Sequence, residues 1–115
     1  MDDFQIRFNK NRQWIRVQVW DVHPTTFDNW GGGRWAYFEQ QWTYNSGSPR
    51  VGYFGDLHLV KSGIREDTIA HEMFHVLCEL VWARRDAITT YNEERYARIL
   101  DELVRKFYRG YSKKG

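Results

Sequence analysis

Two histidines four residues apart, with a glutamate directly after the first, are the residues whose types and spacing most directly suggest chemistry. His71-Glu72-Met73-Phe74-His75 is the pattern His-Glu-x-x-His. On a helix these two histidines lie on one face, so both imidazoles can reach one zinc ion at roughly 2.0–2.1 Å. Glu72 is rotated by about 100° from His71, beside the ion, where it can take a proton from an activated water. The pattern predicts one Zn²⁺ per chain, with Glu72 as general base.

A catalytic zinc ion usually has three protein ligands and one open position for water. Glu93 and Glu94 open the last apolar-periodic segment, whose stripe is Tyr96, Ala97, Leu100, Leu103, Val104 and Phe107. Glu93 falls close to the centre of this stripe, whereas Glu94 is about 100° away from it. A carboxylate centred on a buried stripe is costly unless it is paired or bound to metal. Glu93 is therefore the predicted third ligand, with Glu94 as alternate; an acidic pair serving the helix dipole is the other interpretation.

Four further residues are weaker candidates. His58 lies in a predicted strand, and Tyr91 and Tyr96 flank the proposed glutamate ligand. Each could support the metal ligands or donate to a transition state, although ordinary structural roles explain all three. Cys78 is a conceivable zinc ligand, but it lies almost a full turn beyond the histidines and is better explained as a small core residue.

The first half of the sequence alternates and the second half has helical periodicity. Alternation predicts four strands within residues 1–60, at about 4–8, 14–20, 35–42 and 51–60, with a long loop over 21–34. Helices are predicted over 64–84 and 93–108, and Gly110 is expected to end the second. The fold class is therefore α+β: one domain over 1–115, with a mostly antiparallel sheet of about four strands followed by two helices. Because the motif helix is apolar nearly all round, we expect it to be a middle layer between the sheet and the last helix.

Composition restricts the surroundings in which the protein works. The chain has one cysteine, no apolar segment at its start and no run of about 18 apolar residues. These features predict a cytoplasmic protein without a membrane partner. The net charge of +2 argues against nucleic acid as the main partner. Basic residues over 105–114 form either a solvated helix face or a patch for nucleic acid or acidic protein. The sequence leaves the oligomeric state open.

The motif followed by Asn92-Glu93 resembles the gluzincin branch of zinc metallopeptidases, in which a glutamate on the next helix completes the site. The order of strands, motif helix and glutamate helix is also similar to small phage-encoded His-Glu-x-x-His proteins. The resemblance covers about residues 51–107, and only the motif is specific. It implies a minimal zincin-like peptidase that hydrolyses peptide bonds of a peptide or protein substrate, with a sheet strand beside the motif helix pairing with the substrate. The extra helical domains of full gluzincins have no counterpart here.

Two alternatives remain for the same motif. One is a zincin that cleaves a regulatory protein or works on DNA-linked substrates. The other is a non-catalytic zinc-binding domain that binds a host or phage protein. A structural zinc site would be closed by four protein ligands, whereas a catalytic one keeps a position for water.

Overall fold

A computed structural model describes residues 2–21, 36–40 and 52–114. The loop predicted over 21–34 lies almost wholly outside the described residues, as do the ends of the predicted third strand. The elements in chain order are β1 (Asp2–Phe8), β2 (Gln13–Trp20), β3 (Ala36–Gln40), β4 (Gly52–Val60), a short 3-10 turn (Lys61–Gly63), α1 (Glu66–Ala83) and α2 (Glu93–Lys114). The predicted α+β class is confirmed. The predicted end of the second helix is wrong, because α2 continues through Gly110 to Lys114.

The four described strands form one sheet in the order β1-β2-β4-β3. β1 and β2 are an antiparallel hairpin, and β3 pairs antiparallel with β4. The central pair, β2 and β4, is parallel. The sheet is therefore mostly antiparallel, as predicted, with one parallel pair. Neither described helix combines the length and apolar character that a membrane span requires.

Both helices lie side by side on one face of this sheet. α1 contacts the edge strand β3, α2 contacts the opposite edge strand β1, and the two helices contact each other. The shared core joins the inward strand residues to the buried stripes of both helices; its central members are Ile15, Val17, Leu57, Leu59, Ile69, Met73, Leu80, Leu103 and Phe107. The prediction that α1 forms a middle layer is wrong. The side of α1 that carries Phe74 and Trp82 is exposed, at 48% and 59%, and α2 does not cover it.

The two helices run antiparallel. The Arg84 guanidinium, just after α1, lies 5.7 Å from the centre of the Tyr96 ring near the start of α2. At the other end, burial and the nearby carboxylates of Glu66 and Asp67 raise the pKa of Tyr108. The start of α2 is therefore level with the end of α1, and Tyr108 is level with the start of α1.

A bulge and a close strand approach set the position of the edge strand β3. The β2–β4 register shifts between Trp14 and Ile15, so that Phe54 is an extra residue that packs in the core at 1% exposure. At the next residue, a Cβ on Gly55 would lie 2.5 Å from the backbone oxygen of Glu39 in β3. Gly55 therefore lies directly after the bulge, where the β3 backbone comes too close for a side chain.

We expect Gly55→Ala to lower the free energy of unfolding by about 1–3 kcal/mol, because the added methyl group meets backbone that cannot move without disturbing the β3–β4 pairing. Gly110→Ala is the matched control. A Cβ there would also lie 2.5 Å from a neighbour, but that neighbour is the half-buried ring of Phe4, and alanine is favoured within a helix by about 1 kcal/mol. Urea denaturation of both variants measures the difference. A larger loss in Gly110→Ala would contradict the assignment of Gly55 as a strand-contact glycine.

Candidate metal centre

The two motif histidines lie on the exposed face of α1. Their Nε2 atoms are 3.2 Å apart. The ring centres are 4.8 Å apart, and the ring planes are inclined by 78°. The opposite side of α1 is held by Ile69 and Met73, which are fully buried. Anchoring that side in the core turns the histidine face outward and holds the two Nε2 atoms close together at the surface.

The separation of these two nitrogens fits a shared zinc ion. Two Zn–N bonds of roughly 2.0–2.1 Å whose nitrogens are 3.2 Å apart enclose an angle of about 100–106°, close to that of a tetrahedral site. The same separation also permits a hydrogen bond in which one ring donates to the other. The distance between the His71 and His75 nitrogens is therefore compatible with a shared zinc ion, and metal binding itself distinguishes the two states.

Glu72 lies at the boundary between the buried and exposed sides of α1, with 9% of its surface accessible. One of its carboxylate oxygens is within 4.8 Å of a ring nitrogen of each histidine. His71, Glu72 and His75 thus form a candidate metal-binding group, one of two among the described residues. A carboxylate beside a pair of imidazoles, and largely shielded from water, is placed to hold a proton close to whatever the imidazoles bind.

Glu93 and Glu94 are not brought to this group. Both are exposed in the first turn of α2, and neither belongs to a candidate metal-binding group in the described parts of the chain. The prediction that Glu93 faces inward is wrong. Helical periodicity gives Glu93 the same angle around the axis of α2 as the buried stripe, but Glu93 comes before the first buried residue of that stripe, Tyr96.

Distance along the helices separates Glu93 from the histidines. Tyr96 is level with Arg84, which lies nine residues after His75 in the sequence. At 1.5 Å per residue, Glu93 is about 18 Å beyond His75 along the axis of α1. Glu94 instead pairs with Arg98 at 3.3 Å. As a third ligand, Glu93 therefore stays a prediction that this helix arrangement does not support.

The weaker candidates are also distributed away from the histidines. Tyr91 is 98% exposed. Tyr96 is buried, and its hydroxyl donates to Asp86 Oδ2 at 2.6 Å, in the connection between the helices. Cys78 is half-buried, its thiol is outside the candidate group, and burial raises its pKa. Tyr91 and Tyr96 therefore lie with Glu93 around the start of α2, and the Cys78 thiol does not join the histidine group.

His58 belongs to a second group that sequence reasoning missed, on the sheet face that points away from the helices. Glu39, Asp56 and His58 have ligand atoms within 4.8 Å of one another. Asp56 accepts two hydrogen bonds from the Arg16 guanidinium, both at 3.1 Å, and another from the Tyr53 hydroxyl. A carboxylate already occupied by a guanidinium fork has little capacity left for a cation. We therefore interpret this group as a buried polar network rather than a metal site. The spacing of Asp56 and His58, two residues apart in a strand, was the signal that could have found it.

Burial and the Trp20 indole favour the neutral form of His58. The Trp20 indole donates to His58 Nδ1 at 3.4 Å, so the ring carries its proton on Nε2, which lies 3.6 Å from Glu39 Oε2. Burial lowers the pKa of His58, although the carboxylates of Asp56 and Glu39 oppose this effect.

Comparison with family models, with curated proteins and with solved structures gives no match for this chain in any of the three. The residues and their geometry therefore carry the functional argument alone.

The lowered pKa of His58 predicts that its contribution to stability decreases in acid. Below the ordinary pKa of 6.5, His58 takes up a proton in the unfolded chain but stays neutral in the folded protein. The free energy of unfolding therefore decreases as the pH is lowered. His58→Gln keeps an acceptor for Trp20 and a donor for Glu39 but cannot titrate. The melting-temperature advantage of the natural protein over His58→Gln should shrink between pH 7.5 and 5.5. An advantage that stays constant or grows toward pH 5.5 would show that His58 is not held neutral.

Proposed function

We propose that this protein is a zinc-dependent peptidase whose metal is held by His71 and His75. The observation that carries the proposal is the 3.2 Å separation of the two Nε2 atoms, together with a Glu72 oxygen within 4.8 Å of a nitrogen of each ring. Two imidazole nitrogens this close, with a carboxylate beside them, supply two of the three protein ligands and the base of a hydrolytic zinc site. Among the described residues, no further His, Cys, Asp or Glu side chain joins the group.

The chemistry divides between the metal and Glu72. Zinc bound at such a site supplies Lewis acidity, which polarises a carbonyl and makes water more acidic. Glu72 accepts the proton of the attacking water on a carboxylate oxygen and returns it to the leaving amine nitrogen. The low exposure of Glu72, 9%, keeps this proton away from bulk solvent. Anchoring α1 in the core orients both histidines and Glu72 relative to one another.

The arrangement of the sheet supports a peptide as substrate. β3 is the outermost described strand on the side that contacts α1, and it pairs with β4 on one edge only among the described strands. An extended peptide can add to such an edge by backbone hydrogen bonding. We expect the peptidase to act in the cytoplasm, because its single cysteine allows no intramolecular disulfide.

The exposed face of α1 also supports a second candidate function, a zinc-binding domain that binds another protein without turnover. Phe74 and Trp82 lie on the histidine side of α1 with 48% and 59% of their surfaces exposed, and exposed aromatic residues are enriched at protein interfaces. In this alternative, Glu72 has no role in turnover.

Glu72→Gln tests the proposed base. The purified natural protein should contain about one zinc per chain by elemental analysis and cleave an unfolded protein such as casein. Because the amide cannot take a proton, Glu72→Gln should keep the metal and lose about 10²–10⁴-fold in cleavage rate. Glu94→Gln, which changes an exposed glutamate paired with Arg98, is the matched control and should retain full activity.

Each other outcome has a definite meaning. A natural protein that binds no zinc at any pH would remove the metal site. Zinc binding without cleavage of casein or of a random peptide library would favour the binding domain over the peptidase. Loss of zinc in Glu72→Gln would make Glu72 a ligand rather than a base.

Ligand identity is tested by comparing His75→Ala with Glu93→Ala. His75→Ala should weaken zinc binding by more than about 100-fold, since even residues outside the ligand shell typically contribute about 10–100-fold. Glu93→Ala should leave the zinc affinity within about twofold of the natural protein, because Glu93 is exposed at the start of α2, beyond the end of α1 and away from the histidines. Competition against a chromophoric zinc chelator measures both affinities. A comparable loss in the two variants would restore Glu93 as third ligand and require a different packing of α2.

A further inference from the structure

A groove of about 1100 Å³ lies between the β1–β2 turn and the first half of α2. Its cationic lining residues are Lys10, Arg12, Arg84, Arg95, Arg98 and Arg105. Its acidic lining residues are Glu94, Asp101 and Glu102. The net charge of the whole chain is only +2, so this groove concentrates positive charge that the rest of the surface does not share. Its volume is at the upper end of the range for small-molecule pockets and accommodates several side chains.

Two of the three acidic residues are already engaged within the protein. Glu94 pairs with Arg98 at 3.3 Å, and Glu102 pairs with Lys106, which does not line the groove, at 3.0 Å. A Glu102 oxygen also accepts a hydrogen bond from the backbone N–H of Asn9 at 2.9 Å. The Glu102 carboxylate therefore ties the turn to α2 and holds the two walls of the groove together.

The two turns beside the groove have unusual backbone. Asn9, Lys10 and Asn11 have φ values of 56°, 58° and 61°, and Arg85 has φ 54°. Left-handed conformations are strained for most non-glycine residues, less so for Asn, and they cluster at functional sites, where other contacts maintain them. Here they keep Lys10, and the neighbouring Arg12 and Arg84, at the border of the groove.

Two of the arginines are held in place rather than free in solvent. The guanidinium groups of Arg84 and Arg95 lie 5.7 Å and 5.1 Å from the centre of the Tyr96 ring, and Arg95 also pairs with Asp86 at 3.6 Å. Tyr96 is itself buried, with 1% exposure. Arginines stacked on a fixed ring lose less conformational entropy when they bind a carboxylate than arginines that are fully solvated.

We propose that this groove binds an acidic segment of a partner protein, rich in Asp and Glu, through its arginine forks. Arginine matches a carboxylate by two parallel hydrogen bonds, and the charges are complementary. Nucleic acid fits less well for two reasons. No aromatic side chain lines the groove in the described parts of the chain, so it has no surface on which bases stack. The interleaved carboxylates would also repel a continuous phosphate backbone, whereas a peptide can avoid them by its choice of side chains.

The groove is separate from the metal centre and does not depend on it. Arg84 lies nine residues beyond His75, about 14 Å along the axis of α1. Failure of zinc binding would therefore leave this proposal intact, and failure of the groove to bind acidic peptide would leave the peptidase proposal intact.

The experiment measures fluorescence anisotropy of a labelled ten-residue peptide of alternating Glu and Gly with the full chain at 50 mM salt. The test variant carries Arg12→Gln, Arg98→Gln and Arg105→Gln, three exposed groove residues. The matched control carries Lys61→Gln, Arg65→Gln and Arg109→Gln, which remove the same charge from exposed positions outside the groove. We expect the test variant to lose at least tenfold in affinity and the control to stay within twofold of the natural protein.

A second arm replaces the peptide with a labelled 20-nucleotide single strand and a 20-base-pair duplex. Circular dichroism melts of both variants exclude unfolding as the cause of any loss. Single Arg→Lys variants at positions 12, 98 and 105 keep the charge but not the fork, and each should bind the peptide more weakly than the natural protein. Equal losses in the test and control variants would reduce the effect to net charge and overturn the proposal. So would undetectable binding of the peptide, or tighter, groove-dependent binding of either nucleic acid.

Discussion

The seating of α1 on the sheet is the constraint on which the rest of the structure depends. Ile69, Met73 and Leu80 are completely buried in the core that the helices share with the sheet, and burying three such side chains contributes on the order of 5–9 kcal/mol before entropy is counted. This contact fixes the rotation of the helix about its own axis. Once that rotation is set, His71 and His75 must face outward together, and Glu72 must lie at the boundary. The candidate metal centre is thus a consequence of core packing, since exposed histidines gain little stability from their own contact.

The antiparallel packing of α2 beside α1 has two opposite consequences. It closes the core with Leu103 and Phe107, and it carries the start of α2 to the far end of α1. The glutamates that open α2 are therefore distant from the histidines, whereas the arginines of its first half are brought to the β1–β2 turn. The antiparallel packing of α2 thus separates Glu93, the predicted ligand, from the histidines and at the same time assembles the cationic groove.

Local patterns in the sequence were sufficient for the elements but not for their arrangement. Alternation located all four strands, and the spacing of His71 and His75 located the histidine face, because both depend only on neighbouring residues. The parallel pairing of β2 with β4 depends on contacts roughly 40 residues apart, which periodicity does not encode. The prediction that Glu93 faces inward near the histidines failed for a related reason: a helical wheel gives the angle of a residue around its own helix but not its height along the partner helix. The apolar character of α1 was also misleading, since Phe74 and Trp82 are exposed where a buried layer was expected.

The two faces of the sheet show how the chain separates stability from polar function. One face is closed by apolar side chains of both helices, whereas the other holds the Arg16–Asp56 pair and a neutral His58. The functional candidates occupy neither face: the histidines lie in the middle of α1, and Arg84 directly follows its end, about 14 Å from His75 along the axis. An extended peptide rises about 3.3 Å per residue, so four to five residues span that distance. If both proposals hold, a substrate whose acidic segment occupies the arginine groove presents to the histidines a peptide bond at least about four to five residues away, and the separation along α1 becomes a determinant of where the chain is cut.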